Sequence, residues 1–271
     1  TELEKSSITA KTLLVAARNN EAKVRRGAWY LLAEKFDIHE AANQSQLRAA
    51  LADDDAIVRA LALRIVSELP EPELPMLVEP LAGLLSSAEL TTENRAAIAR
   101  LLGRLKEQAT IAEEPLAQAA RNDKQARVRA ACLVALWQIA EPAANLPRFR
   151  AALQDVDASV RLVAAARLRE MGPDAAIAAE GLARSLEDQD DRVREAAAEA
   201  LIRIGEPAVK PLMGELAAES PAARRWAVFA LAKLGAAAKS AQAELEKVSS
   251  NEREEEETRK MAALAVKRLG L

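Results

Sequence analysis

An arginine recurs along this chain at a nearly constant interval, each time near the head of the same short apolar pattern. The clearest copy, Val193 to Gly205, reads VREAAAEALIRIG. Relatives start at Val58 (VRALALRIVSEL), Val128 (VRAACLVALWQIA), Val160 (VRLVAAARLREMG) and Lys23 (KVRRGAWYLLAEKF), with looser copies from Asn94, Ala223 and Thr258. The shared residues are Arg25, Arg59, Arg95, Arg129, Arg161, Arg194, Arg224 and Arg259, spaced by 34, 36, 34, 32, 33, 30 and 35 residues. Such a period marks a stacked array, in which one unit cannot bury its apolar face alone and is covered by its neighbours. Eight copies account for essentially all of the 271 residues.

Each copy reads as two helices. Half of the chain is apolar but only 3% is aromatic, and Ala and Leu with Glu, Lys and Arg are strong helix formers. The prior is all-α. A leading helix such as GLARSLED ends in a polar turn, often with aspartates (Asp53, Asp54, Asp55, Asp123, Asp155, Asp157, Asp188, Asp190) just before the second helix. Asp there accepts from free backbone N–H groups and suits the positive end of the helix dipole. Gly172, Gly205 and Gly235 end second helices where a left-handed residue is wanted, and Pro173 and Pro207 follow. The predicted organisation is a single array with repeats at roughly 1–38, 39–71, 72–107, 108–141, 142–172, 173–205, 206–235 and 236–271.

The signature D-x-x-V-R-x-x-A-x-x-A-L-x-x-I-G, with G-E-P-A-V-x-P-L opening the next unit, resembles HEAT repeats, in particular the short Ala-rich HEAT-like repeats named after phycobilisome lyases. Asp190, Val193, Arg194, Ala197, Ala200, Leu201, Ile204, Gly205 and Pro207 carry the match. The third copy departs from it, with TTENR from Thr91 to Arg95 in place of the turn aspartate and Val. The resemblance implies a right-handed α-α superhelix of about eight hairpins, with second helices lining the concave side. It also implies protein binding, since HEAT arrays in general bind other proteins and a minority are enzymes.

At 100° per residue, positions one before and three, seven and ten after each arginine share one side of the second helix. They hold mostly aliphatic side chains and form the predicted core stripe. Alanines three after the arginine let neighbouring helices approach closely, and Cys132 in that column reads as a buried small hydrophobe. The anchor arginines themselves are expected to form a ladder with turn aspartates and carbonyls.

No catalytic machinery is legible. The nine glycines form no GxG, GxxxxGK or GxSxG, which leaves no phosphate cradle or nucleophile elbow. One histidine, His39, and one cysteine cannot make a zinc site by themselves, and His39 reads as a linker residue. HEAT-repeat iron hydroxylases need several His-Glu pairs, and His39-Glu40 is the only one here. The acidic run Glu254–Glu257 reads as complementing a helix dipole and aiding solubility. The expectation is a non-enzymatic protein with no cofactor and no metal. No apolar run approaches a membrane span, and the compartment is open, with the cytoplasm favoured.

Positions one, five and eight after each arginine lie opposite the core stripe. Together they hold seven basic and two acidic residues in a chain of net charge −3, so this face is basic on an acidic protein. It also carries Tyr30, Trp137 and Phe229, with Trp29 and Trp226 on its flanks. Arginine and aromatic residues dominate binding hot spots. The candidate partner-binding residues are therefore Arg26, Tyr30, Arg64, Arg100, Trp137, Arg169, Arg225 and Phe229, for an acidic-aromatic peptide or protein segment. Nucleic-acid binding, as in HEAT-like DNA glycosylases, is an alternative that pI 5.6 counts against. A bilin-lyase-like role rests on the repeat resemblance alone. The first residues, TELEKSS, fit either processing or excision from a longer protein, and the abrupt end of the array leads to the expectation of a segment of a larger protein or of a neighbour stacked on that end.

Overall fold

The computed structural model describes residues 8–36 and 43–269, so His39 lies outside the described residues. Within them every regular element is helical, and the chain is an all-α solenoid of helical hairpins. The first helices are α1 (Ala10–Ala16), α3 (Gln44–Leu51), α5 (Val78–Leu84), α7 (Glu113–Asn122), α9 (Pro142–Ala152), α11 (Ala179–Arg184), α13 (Val209–Glu215) and α15 (Gln242–Ser250). The second helices are α2 (Ala22–Lys35), α4 (Ala56–Glu68), α6 (Thr92–Arg104), α8 (Ala126–Ile139), α10 (Ala158–Met171), α12 (Asp191–Ile204), α14 (Pro221–Leu234) and α16 (Glu256–Leu269). Two compact units, Thr1–Ala140 and Glu141–Leu271, hold α1–α8 and α9–α16 respectively.

The turn aspartates divide into two jobs. Asp55, Asp157 and Asp190 are N-caps and accept from Ile57 N (3.0 Å), Ser159 N (2.9 Å) and Arg192 N (2.9 Å). Each satisfies a donor the helix itself cannot, worth about 1 kcal/mol. The third copy uses Thr91 as its cap instead, accepting from Asn94 N at 3.2 Å. At the other end, Gly172, Gly205 and Gly235 take φ of +58°, +85° and +55°. Their ψ values near −130° to −140° lie in the mirror-image β region, not the left-handed helical one, so the chain leaves extended into the turn that follows, which carries Pro173 after Gly172 and Pro207 after Gly205.

Second helices bury the expected stripe. Val193, Ala197, Leu201 and Ile204 of α12 are buried, as are Val128, Cys132, Leu136 and Ile139 of α8. The positions four and six after the arginine are buried too, as with Ala198 and Ala200 of α12, because α12 is flanked by both α10 and α14. Gly103 shows how close this packing runs: a Cβ there would lie 3.0 Å from Ala135 Cα and 2.2 Å from Gln138 Oε1. Within the first unit the α4–α6 pair meets far less closely than α6–α8. It flanks the longest arginine spacing in the chain, 36 residues.

The arginine ladder is present and locks the register of the stack. Asp53, Asp123 and Asp188 stand six residues before the arginine of their own repeat. Each accepts from the backbone N–H two residues on, at 2.8 to 2.9 Å. Each also grips the arginine of the preceding repeat. Arg25 meets Asp53 at 2.8 and 2.8 Å, Arg95 meets Asp123 at 2.8 and 3.1 Å, and Arg161 meets Asp188 at 2.5 and 2.8 Å. The remaining Nη1 donates to carbonyls of the arginine's own turn, as Arg161 does to Asp155 O at 2.7 Å. These bidentate, charge-assisted bonds fix orientation as well as spacing.

The ladder weakens where the acceptor changes. Glu89 holds only an Nη2 of Arg59, and position 218 is an alanine, so Arg194 falls back on Asp191 of its own helix. The Nε atoms of both arginines are buried without a hydrogen-bond partner. The acidic run, expected to complement a helix dipole and aid solubility, also contributes a rung. Glu254 is 6% exposed and takes Arg224 at 2.5 and 3.2 Å.

Candidate functional site

The second helices present their first, fifth and eighth positions after the arginine away from the core, as the period requires. Arg26, Tyr30, Arg64, Arg100 and Arg225 are exposed, and Trp137, Arg169 and Phe229 are half-buried. Ala96 and Gly103 are buried exceptions, drawn in by the tight α6–α8 contact. In the first unit α2, α4, α6 and α8 carry Arg26, Tyr30, Arg64, Arg100 and Trp137; in the second unit α10 and α14 carry Arg169, Arg225 and Phe229.

Much of the basic charge on this face is already answered. Arg26 donates Nε to both oxygens of Asp55 at 3.0 Å. Arg64 meets Glu34 at 2.6 Å, and Arg169 pairs with Glu199. Asp55 is held down to about 2, first by its hydrogen bond from Arg26. Glu34 lies nine residues after Arg25, one position outside the columns read from the sequence, which is why its charge was not counted there. Among the described residues, Arg100 and Arg225 have no such partner, and neither has Lys267 of α16.

The aromatic residues separate by environment. Trp29 is 2% exposed and belongs to the core. Tyr30 is 53% exposed and stands out on the face. Phe229 forms an edge-to-face pair with Trp226, centroids 5.4 Å apart at 89°, while Lys233 Nζ lies 5.5 Å from the Phe229 ring centre.

Two openings adjoin these elements. The loose α4–α6 contact leaves a groove of about 520 Å³ on the candidate face, floored by Ala60, Leu61 and Ala97 and edged by Ile57, Arg64 and Asn94. A larger cleft of about 910 Å³ lies away from the candidate columns, between the α5–α6 turn and the end of α7, with Ser86, Thr92 and Lys124 on its walls.

Cys132 is fully buried, and burial pushes its thiol up to about 12, so it is neither nucleophile nor ligand near neutral pH. Among the described residues no three His, Cys, Asp or Glu side chains group to hold a metal ion, and no helix is long and apolar enough to cross a membrane.

A family model described as HEAT repeats matches residues 113–202 and 146–232. No curated protein sequence matches the chain. Among solved structures, importin beta superposes with a TM-score of 0.63 at 13% identity, over 96% of this chain and 40% of that one. This chain therefore spans well under half of importin beta. The Escherichia coli protein YibA superposes at 0.50 with 17% identity, over 97% and 93% of the two chains. The complex of CpcE and CpcF of phycocyanin lyase from Nostoc reaches 0.42 at 19% identity, over 99% and 98%. At these identities the first two likenesses show a shared fold, and the third carries no argument about activity.

Proposed function

We propose that this chain, residues 113–232 of which match HEAT repeats, is a non-enzymatic protein-binding scaffold working through the exposed faces of its second helices. The observation that carries this reading is that the same face of the second helices bears, in the first unit, exposed Tyr30, half-buried Trp137 and the unpartnered Arg100, and, in the second unit, half-buried Phe229 and the unpartnered Arg225. Apolar and aromatic surface rimmed by charge is the composition of a recognition site. Arg26, Arg64 and Arg169 hold their own carboxylates, so a partner meets them as ion pairs to be exchanged, which favours specificity over raw affinity. The partner expected is an acidic-aromatic protein segment.

Co-precipitation from source lysate tests the reading, comparing the parent with Tyr30→Ala/Arg100→Glu and with Arg225→Glu/Phe229→Ala, each checked for an unchanged helical signal. Proteins retained by the parent and lost from a folded variant support it. Capture unaltered by both variants refutes it.

A further inference from the structure

On the last two second helices the face cations Arg225 and Lys267 have no acid to answer them. Helix α14 contains no Asp or Glu, and in α16 the acidic residues are confined to the first turn, where Glu256 is spent on Lys260. Arg225 and Lys267 are exposed with no ion-pair partner, and Lys233 has only the Phe229 ring. Arg26 and Arg64 of the N-terminal unit are neutralised, whereas Arg225 and Lys267, like Arg100 of α6, keep their positive charge available.

The same place holds the most exposed large apolar side chain of the second helices. Leu264 is 59% exposed, with half-buried Met261 one turn before it on α16. Helices α14 and α16 pack side by side, and the Arg224–Glu254 rung sets their register. Leu264 and Phe229 each stand five residues after their anchor arginine, so they occupy one column on adjacent helices. The result is an apolar patch of Trp226, Phe229, Met261 and Leu264, with cations on its edges.

The contacts inside the patch narrow what it can receive. One face of the Phe229 ring is taken by the Lys233 ammonium, and Trp226 meets Phe229 edge to face. A stacked nucleic-acid base has poor access to such a ring, whereas Leu264 and Met261 offer aliphatic surface for an inserted side chain. We infer that the α14–α16 face is a docking subsite for a short peptide segment in which an aliphatic or aromatic side chain is flanked by Asp or Glu. The apolar side chain sits against Leu264 and Met261, and the carboxylates meet Arg225, Lys233 and Lys267. This inference rests on the scaffold reading and assigns its anchoring point.

A short fluorescein-labelled peptide of glutamates around a central Leu-Phe pair, titrated with the full chain by fluorescence anisotropy, tests it. Two control peptides replace the glutamates with lysines or the central pair with alanines. The glutamate peptide is expected to bind, to weaken with added salt, and to weaken about tenfold or more on Leu264→Glu, as for a hot-spot residue. Leu264 is exposed, so that variant is expected to fold; Arg225→Glu/Lys267→Glu supplies a second perturbation without touching the apolar patch. No binding by the parent overturns the inference. So does equal binding of the lysine peptide, a stronger preference for a duplex oligonucleotide, or a dimer that Leu264→Glu converts to monomer. If Tyr30→Ala/Arg100→Glu abolishes peptide binding while the α14–α16 variants do not, this subsite fails and the scaffold reading survives. If peptide binding is indifferent to every one of these variants, both fail.

Discussion

Removing one rung of the arginine ladder is the sharpest test of how this stack is held. Asp188 has a side chain only 7% exposed and accepts three hydrogen bonds: two from Arg161, at 2.5 and 2.8 Å, and one from Asp190 N at 2.9 Å. In Asp188→Ala the Arg161 side chain, 17% exposed, keeps Asp155 O but loses the partner of Nε and Nη2. Breaking a fully buried pair costs about 3–5 kcal/mol. Partial access of water to Arg161 and its surviving carbonyl bond bring the expectation down to about 2–3 kcal/mol. Asp188→Asn keeps an acceptor for the backbone N–H and is expected to cost about half as much.

Urea unfolding followed by helical circular dichroism measures these losses, with the exposed Glu187→Ala as control. A cycle with Arg161→Met isolates the pairwise part. The acid limb gives an independent reading. Burial of Asp188 pushes its carboxyl up, but the Arg161 and backbone hydrogen bonds outweigh it, and the net shift is downward. A folded-state value below the unfolded one of about 3.9 means this stabilisation is complete above about pH 4 to 5. It is lost as pH falls through the folded value, and Asp188→Asn should flatten that limb. A cost for Asp188→Ala within about 0.5 kcal/mol of the Glu187→Ala control would refute the ladder as a stabilising device.

The converse substitution is also informative. Ala218→Asp places a carboxylate where Arg194 lacks its rung and should stabilise the chain by about 0.5–2 kcal/mol in the same assay. Gly103→Ala should destabilise by about 1–3 kcal/mol through its collision with Ala135 and Gln138, while Gly27→Ala, which meets nothing within 4 Å, should gain up to about 1 kcal/mol. Thermal unfolding of the pair checks both signs. Cys132 should resist a disulfide reagent at pH 8 in the native chain and react promptly in denaturant, because burial has pushed its thiol up to about 12. Rapid native-state labelling would show that the α8 core opens.

The fold was legible because its determinants are local and repeated eight times. A column read one position out of phase in one copy is corrected by the other seven, and period alone placed Ala197, Leu201 and Cys132 inside. Asp55, Asp157 and Asp190 were legible as caps, since a cap acts on backbone two residues away. The ladder was legible in kind.

What the sequence could not determine is which carboxylate meets which arginine, because those partners lie 27 to 30 residues apart and are brought together only by stacking. That is why Glu254 read as part of a solvated run and proved to be a buried rung. It is also why a face counted as strongly basic is in large part neutralised by Asp55, Glu34 and Glu199. Helical period assigns a side chain to a face at 100° per residue, a property of one helix. Charge balance and residual exposure on that face belong to pairs of helices, so only tertiary packing decides that Trp29 is core, Tyr30 is surface, and Arg100, Arg225 and Lys267 stay unanswered.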